Sequence, residues 1–241
     1  MVTKLQGAII AAGRGERLRI STRDDIPKPL VKLGGEAMLA RQARALIEAG
    51  AESVVAVINS ETARIAGEMA IEIPTSIRLV VRDTANSMET MLALGDLLEP
   101  GWFIASTVDA VIPQIELVRF VNDARRKIEE CGDKTILGVL AVTRWRGEAK
   151  PLFADVTSNG LIHGLGNRQT STVTAGLYFL STGIFDYAAD ARRAGLDALR
   201  RFLAMIIERG NRLDAIEIEG SIDVDEASDL DAARLAIRKM P

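Results

Sequence analysis

The sequence predicts an α/β protein in which mainly parallel strands form a central sheet with helices on both faces. Two short apolar runs, each the length of one buried strand, occur at residues 7–12 and 53–58, and a third predicted strand at 77–82 contains two arginines; helical patterns alternate with these three strands. Strands separated by helices pair in parallel, because each crossover returns the chain to the same end of the sheet. Ligands of such sheets bind beyond the carboxyl ends of the strands, so a site is expected there.

The remaining elements are predicted from apolar spacing and from the residues that start and stop helices. In the first half they are helices from about 36 to 50, over 61–70 and from 86 to about 98, and a strand over 102–109. In the second half they are a helix over 115–130, a strand over 135–142, a hairpin over 152–163, a strand over 172–180, helices over 182–193 and 197–209, an exposed or edge strand over 213–218 and a final helix near the C-terminus.

Composition excludes several classes of protein. The net charge of −3 and the pI near 5.4 disfavour a nucleic-acid surface, which requires a basic face. No apolar stretch is long enough to span a bilayer, and the N-terminus lacks the layout of a signal peptide. The single Cys131 cannot form an internal disulfide, so a cytoplasmic protein is the simplest prediction. One cysteine and one histidine also rule out a Cys/His zinc cage.

The turn after the first apolar run has the composition of an anion site. Gly13 and Gly15 let the backbone approach a ligand, and outward N–H groups of such a turn bind anions. Arg17 and Lys28 add positive charge, which predicts a triphosphate site. The dinucleotide fingerprint is excluded because Leu18 stands where it needs a third glycine, and a P-loop is excluded because Gly-Lys-Ser/Thr is absent.

Two short motifs resemble the signature of the sugar-phosphate nucleotidyltransferases, also called NTP transferases. They are Ala-Ala-Gly-Arg-Gly-Glu-Arg-Leu at residues 11–18 and Pro-Lys-Pro-Leu at residues 27–30. The resemblance implies a three-layer α/β/α, Rossmann-like (GT-A-like) fold with a mixed, mainly parallel sheet. It also implies an enzyme that joins a nucleoside triphosphate to a phosphorylated small molecule with Mg²⁺ and releases pyrophosphate.

The same resemblance implies roles for residues that match the family pattern. Arg17 and Lys28 are expected to be catalytic. The predicted nucleotide-binding residues are Ala11, Ala12, Gly13, Arg14, Gly15, Asn86 and Ser87. The loop that contains Asn86 and Ser87 is similar to that of the inositol-phosphate and phosphocholine cytidylyltransferase branch, and capping of the following helix is an alternative reason for these two residues.

Metal and acceptor residues are expected at later positions. Asp109 ends the predicted strand at 102–109, and Asp223 lies in Asp-Val-Asp, which resembles a late family motif without its tryptophan. Together they are the predicted Mg²⁺ ligands, because this ion takes one or two carboxylates beside substrate phosphates. Asp225 is the fallback ligand and is otherwise expected to cap the last helix. The acceptor-binding candidates are Lys150, Arg168, Thr174 and Gly176.

A single domain over residues 1–241 is predicted, with a nucleotide-binding half to about residue 110 and an acceptor-binding half after it. The alternatives are a molybdenum-cofactor-type or phosphocholine nucleotidyltransferase and, from another class, a catalytically silent nucleotide-binding regulatory protein. No nucleic acid or membrane partner is expected. The sequence leaves open the base of the nucleotide, the acceptor and the oligomeric state.

Overall fold

The protein folds around one mixed sheet, of which nine strands are seen in the computed structural model over residues 4–71, 74, 76–132, 135–146, 151–166 and 168–239. Two further pairs of very short strands lie outside this sheet. In chain order the strands are β1 (Gln6–Ala11), β2 (Lys32–Leu33), β3 (Glu36–Ala37), β4 (Ser53–Ile58), β5 (Ile77–Val81), β6 (Trp102–Thr107), β7 (Ala110–Val111), β8 (Ile136–Arg144), β9 (Phe153–Val156), β10 (Ile162–Gly166), β11 (Thr172–Ser181), β12 (Arg212–Glu217) and β13 (Ile222–Asp223).

The helices lie between these strands. The α-helices are α1 (Glu16–Thr22), α2 (Met38–Glu48), α3 (Ser60–Glu68), α4 (Ser87–Leu92), α5 (Gln114–Cys131), α6 (Ala188–Arg193), α7 (Leu199–Glu208) and α8 (Ala227–Lys239). Two segments, Lys28–Leu30 and Thr182–Tyr187, are 3-10 helices. No helix in the described part of the chain is long and apolar enough to cross a bilayer.

The sheet is mixed but mainly parallel, as predicted. Its strand order is β10-β9-β11-β6-β1-β4-β5, with β8 also paired to β11 and β12 paired to β8. The pairings make β10 and β11 run opposite to the other seven strands of the described sheet. The carboxyl ends of β1, β4, β5 and β6 therefore meet at one edge of the sheet.

Helices cover both faces of the sheet, which makes three layers. Neighbouring residues of β1 point to opposite faces because of the strand pleat. Ile9 belongs to a buried apolar cluster with Phe120 of α5, to which α2 and α8 also contribute. Ile10 belongs to a second cluster with Phe202 of α7, to which α4 and α6 contribute. The predicted three-layer α/β/α fold is confirmed.

The predicted elements agree with the structure except at a few places. The helix predicted from 86 to about 98 ends as α4 at Leu92, and the first part of the helix predicted over 182–193 is a 3-10 helix. The strand predicted as exposed or at an edge, β12, lies at an edge of the described sheet, paired with β8, but it is buried and not exposed at Leu213 and Ala215. The turn of the β9–β10 hairpin covers its outer side, where the Ala215 N–H donates to the Gly160 carbonyl over 2.7 Å.

A buried ion cluster fixes this corner of the fold. Asp214 of β12 is fully buried and accepts two hydrogen bonds from the Arg212 guanidinium, at 2.8 and 2.9 Å. The Lys127 ammonium of α5 lies 3.1 Å from the same carboxylate and 3.4 Å from the Asn159 carbonyl in the hairpin turn. A buried carboxylate is tolerated when cations and hydrogen bonds satisfy it, so the cluster joins α5, β12 and the hairpin.

Asp214→Ala should lower the free energy of unfolding by about 3 kcal/mol, because it breaks a buried ion cluster whose cations keep some contact with water. Guanidinium chloride unfolding measures the loss. Asp231→Ala is the matched control, since Asp231 pairs with Arg234 on an exposed face of α8 and should change stability by no more than about 0.5 kcal/mol. Equal effects of the two substitutions would contradict the assigned role of Asp214.

Candidate functional site

A cavity of about 580 Å³ opens at the carboxyl ends of β1, β5 and β6. It lies where an open parallel sheet is expected to bind a ligand. The turn after β1, the loop before α4 and the end of β6 form most of its wall. The lining residues are Ile10, Ala11, Ala12, Gly13, Arg14, Gly15, Glu16, Arg17, Leu18, Lys28, Thr84, Ala85, Asn86, Ser87, Thr90, Thr107, Val108, Asp109 and Asp225.

Gly15 determines the shape of the turn. It precedes α1 with φ of 64°, a left-handed conformation that disfavours residues with a side chain. A Cβ atom at Gly15 would lie 2.8 Å from Cβ of Lys28, whereas one at Gly13 would meet no atom within 4 Å. The glycine at position 15 therefore lets the Lys28 segment pack against the turn, and Gly13 leaves backbone open to the cavity.

Asn59 holds the start of the same turn, a role that sequence reasoning missed. Its Nδ2 donates to the Ala12 carbonyl over 3.1 Å, and its Oδ1 accepts from the Thr62 N–H over 2.7 Å at the start of α3. The side chain is buried, so both bonds are shielded from water. An asparagine between a strand and a helix indicates an N-cap, but the sequence gives no sign of the contact with Ala12.

Lys28 lies buried at the centre of the site. Its Nζ donates to Oδ2 of Asp109 over 2.8 Å and to Oδ1 of Asp225 over 2.9 Å. Burial disfavours the ammonium, but the charges and hydrogen bonds of the two carboxylates outweigh burial and raise the pKa of Lys28. Lys28 therefore remains a fixed positive charge at neutral pH.

Arg17 adds a second cation on the solvent side. One of its terminal nitrogens lies 2.7 Å from Oδ2 of Asp225, and 45% of its side chain is exposed. Asp225 thus joins Arg17 and Lys28 through its two oxygens. The structure brings these three residues together from α1, the first 3-10 helix and the segment before α8.

Three carboxylates converge beside Lys28. One ligand oxygen from each of Asp109, Asp223 and Asp225 lies within 4.8 Å of the others. The two-residue strands β7 and β13 bring them together, because Ala110 pairs with Asp223 and the Val224 N–H donates to the Asp109 carbonyl over 3.1 Å. The predicted pair of Asp109 and Asp223 is therefore adjacent in space, and Asp225 joins it.

The surroundings of the cluster shift the pKa values of the two predicted ligands in opposite directions. Burial opposes ionisation of Asp109, but the Lys28 ammonium outweighs it and lowers the pKa of Asp109. Desolvation, followed by the charges of Asp109 and Asp225, raises the pKa of Asp223 to about 8, although part of this residue reaches solvent. Carboxylate oxygens are the ligands that Mg²⁺ prefers, and the cluster has the residue types to hold a divalent cation.

Asp225 does not cap α8, so that expectation is wrong. Oδ2 of Asp229 accepts from the backbone N–H groups of Asp225 and Glu226, over 3.0 and 2.8 Å. The Asp225 carboxylate instead contacts the two cations of the site. A charged partner gives a stronger hydrogen bond than a neutral N–H, which accounts for the contacts of the Asp225 carboxylate, while Asp229 in the first turn of α8 reaches back to the N–H groups that precede the helix.

The predicted base-binding residues line the cavity and also serve the surrounding helices. Oδ1 of Asn86 accepts from the Glu89 N–H over 3.0 Å and caps α4. The Ser87 hydroxyl accepts from the N–H of Leu199 at the start of α7 over 3.0 Å. Both interpretations of the sequence therefore apply to the position of Asn86: it is a helix cap and part of the cavity wall.

None of the three acceptor candidates within the described residues lines the cavity, and one of them borders the acid cluster. Gly176 has φ of 71° at an irregularity in β11, and a Cβ there would lie 2.6 Å from Oγ1 of Thr107 and 2.9 Å from Cβ of Ala110. Thr174 is the last residue of β11 that pairs with β8 before that irregularity. Arg168 is exposed after β10. Lys150 lies outside the described residues.

Tyr178 is a buried neighbour of the cluster that sequence reasoning missed. Burial and the charges of Asp223 and Asp109 raise the pKa of Tyr178, so the phenol stays protonated. Its hydroxyl forms a hydrogen bond with the side chain of Thr174. The tyrosine falls within an apolar strand pattern, so only its place in the fold reveals the contact.

Solved structures of nucleotidyltransferases share this fold. The inositol-1-phosphate CTP transferase from T. maritima has a TM-score of 0.75 and 17% identity, covering 98% of this chain and 97% of that one. A putative glucose-1-phosphate thymidylyltransferase from Bacillus anthracis has a TM-score of 0.77 and 16% identity, with coverage of 98% and 96%. For the CTP:phosphocholine cytidylyltransferase from Streptococcus pneumoniae the values are 0.72, 16%, 97% and 99%.

The family follows from the sequence itself. Residues 7–174 match the MobA-like NTP transferase domain, and the chain belongs to that family. This match confirms the resemblance to NTP transferases that the motifs at 11–18 and 27–30 indicated.

Two curated relatives align over only part of their length. A mannose-1-phosphate guanyltransferase of Gibberella zeae is 26% identical over 240 residues, covering 93% of this chain and 62% of that enzyme. The bifunctional enzyme IspD/IspF of Brucella anthropi is 33% identical over 147 residues, covering 59% of this chain and 34% of that protein. The chain thus spans less than two thirds of either relative.

Gly15→Ala should lower the free energy of unfolding by about 1–2 kcal/mol for the left-handed backbone alone, with a further loss because the new methyl overlaps Lys28. Chemical denaturation measures the change. Gly13→Ala is the matched control: its methyl meets no atom within 4 Å, so no comparable loss is expected. A Gly15→Ala protein as stable as Gly13→Ala would show that the turn does not depend on this glycine.

Proposed function

We propose that the protein is a nucleotidyltransferase that transfers a nucleoside monophosphate from a nucleoside triphosphate to a phosphorylated sugar or polyol and releases pyrophosphate. The observation that carries this proposal is that one cavity combines a glycine turn, two cations and two carboxylates, Asp109 and Asp225, and that the carboxylate of Asp223 lies beside these two. The family match and the activities of the relatives support this class of reaction. The base and the acceptor remain to be identified by assay.

The reaction needs charge and positioning more than proton transfer. A phosphate oxygen of the acceptor attacks the α-phosphorus in line, the bond from that phosphorus to the bridging oxygen breaks, and pyrophosphate leaves. A phosphate monoester is ionised at neutral pH, so the attacking oxygen needs no general base. The site accordingly relies on fixed cations and N–H groups that stabilise charge on the transferring phosphoryl group.

Each part of the cavity has a role in this proposal. The backbone from Ala11 to Gly15, with Arg14, binds the nucleotide. Arg17 binds the departing pyrophosphate, and Lys28 stabilises the charge that develops on the α-phosphoryl oxygens. The burial of Lys28 supports its role, because a preorganised charge in a site with little water acts more strongly than one in solvent.

Asp109, Asp223 and Asp225 are the residues that would hold Mg²⁺. Their oxygens suit this hard cation, and its positive charge would offset the desolvation and the repulsion from Asp109 and Asp225 that together raise the pKa of Asp223. A bound Mg²⁺ supplies charge neutralisation for the phosphates. Asp225 is thus a third candidate ligand beside Asp109 and Asp223, the pair inferred from the sequence.

The remaining assignments concern the base of the nucleotide and the phosphorylated acceptor. Asn86 and Ser87 are proposed to contact the base, since both line the cavity where the loop after β5 enters α4. Thr174 and Gly176 are proposed to face the acceptor beside Asp109, with Arg168 and Lys150 as further candidates for its phosphate.

A pyrophosphate-release assay tests the proposal. With Mg²⁺, a panel of CTP, UTP, GTP, ATP and dTTP against sugar, inositol and choline phosphates should give release that requires one triphosphate and one acceptor. Lys28→Met should reduce that rate about a hundredfold or more, because one preorganised charge is lost. Lys32→Met removes an exposed lysine from β2 and should leave the rate unchanged.

Two results would contradict this proposal. The first is a folded protein that binds triphosphates but releases no pyrophosphate with any acceptor of the panel. The second, directed at Lys28 alone, is near-normal turnover in Lys28→Met protein whose melting temperature shows that it is folded.

Asn86→Asp separates base binding from helix capping. Aspartate caps a helix as well as asparagine, so stability should hold, while loss of the Nδ2 donor should weaken binding of the preferred triphosphate about tenfold. Calorimetric titration measures the affinity, and inorganic tripolyphosphate serves as the ligand without a base. Equal weakening for both ligands would place the effect on the phosphates and overturn the assignment of Asn86 to the base.

A further inference from the structure

The carboxylate of Asp225 contacts both cations that the proposed reaction needs. Its Oδ1 lies 2.9 Å from Nζ of Lys28, and its Oδ2 lies 2.7 Å from a terminal nitrogen of Arg17. The carboxylate therefore bridges two positive groups with its two oxygens, as two oxygens of a phosphate chain would. All three side chains line the same cavity.

The two cations differ in how firmly they are held. Lys28 is buried, with 9% of its side chain exposed, and has Asp109 as a second partner. Arg17 has 45% of its side chain exposed and Asp225 as the partner at 2.7 Å. An exposed ion pair is weak and exchanges easily with another anion, so Arg17 is the group that can leave Asp225.

The backbone around Asp225 has supports that do not depend on its carboxylate. Asp229 accepts from the Asp225 and Glu226 N–H groups, and the Ala227 N–H donates to Oγ of Ser21 in α1 over 2.9 Å. The start of α8 thus stays attached to α1 when the carboxylate changes partner. An exchange at Asp225 requires only side-chain motion.

We infer that Asp225 is an internal substitute for nucleotide phosphate, which holds Arg17 and Lys28 in the nucleotide-free site and competes with the triphosphate for Arg17. This inference rests on the proposed function. By this inference Asp225 is a positioning residue, because its carboxylate preorganises the two cations. The same carboxylate lowers the affinity for triphosphate until a divalent cation or the triphosphate displaces its contact with Arg17. A divalent cation drawn to Asp225 would release Arg17, which couples cation and triphosphate binding.

Asp225→Asn tests the inference without turnover. In EDTA, the variant should bind inorganic tripolyphosphate about tenfold to a hundredfold more tightly than the unmodified protein, because a charged competitor is removed. Isothermal titration calorimetry measures the affinity. Asparagine has the same shape as aspartate, and Asp225→Ala repeats the measurement if the amide makes contacts of its own.

Two further variants separate competition from a general change of charge. Glu16→Gln also removes one negative charge from the cavity wall, but Glu16 pairs only loosely with Arg14, at 3.8 Å; its gain should be about fivefold at most. In an Arg17→Met background, Asp225→Asn should lose most of its gain, as a double-mutant cycle requires for coupled residues.

The outcomes are distinguishable from failure of the proposed function. If the unmodified protein binds and turns over a triphosphate with Mg²⁺ but Asp225→Asn and Asp225→Ala bind tripolyphosphate no more tightly in EDTA, the inference alone is overturned. A gain equal to that of Glu16→Gln, or undiminished in the Arg17→Met background, overturns it as well. Absence of triphosphate binding under all conditions overturns both the function and the inference.

Discussion

The burial of one ammonium group between two carboxylates is the interaction on which the site depends. Lys28 could not remain charged at its depth without Asp109 and Asp225, and the two carboxylates could not lie so close together without Lys28. The three residues come from the segment after α1, the end of β6 and the segment before α8. Their mutual need for neutralisation therefore joins the start, the middle and the end of the chain.

The fold meets this requirement with a few close backbone contacts. The left-handed glycine at position 15 admits Lys28 to the turn, and Gly176 admits β11 to the end of β6. The short ladder of β7 and β13 aligns Asp109 with Asp223. The contacts at the two glycines leave no space for a side chain, and the ladder of β7 and β13 pairs only a few residues. The geometry of the site is therefore set by the backbone more than by long side chains.

The features that could be predicted from the sequence are those whose interactions are local along the chain. The strands β1 and β4 are continuous apolar runs, and the residues around Gly13, Arg17 and Lys28 form one short motif, so local patterns identify them. The sequence offers Asp225 as a fallback metal ligand or a helix cap, and of these only the cap is a local interaction; its basic partners, Lys28 and Arg17, lie about 200 residues earlier in the chain. No local pattern reports such a contact.

Short elements were missed for a related reason. The helix α1 has a single turn or two of mostly polar residues and only Leu18 buried, and β13 has two residues, so neither produces an apolar period. Both are stabilised by what they pack against: Ser21 of α1 accepts from the start of α8, and β13 pairs with β7. Tertiary contacts, not propensity, create these elements.

The charge balance of the site explains why its parts belong together. Because the pKa of Asp223 is raised to about 8, the carboxylates of Asp109 and Asp225 balance the two cations at neutral pH, and neither cation is left unpaired at the place proposed for a polyanion. A triphosphate alone would add repulsion there, and a divalent cation alone would leave Arg17 and Lys28 without all their partners. Only the two together satisfy every group, because the cation takes the carboxylates while the phosphates take the freed basic side chains. In the proposed function, the contact of Asp225 with Arg17 is thus the feature that links the binding of the cation to the binding of the triphosphate.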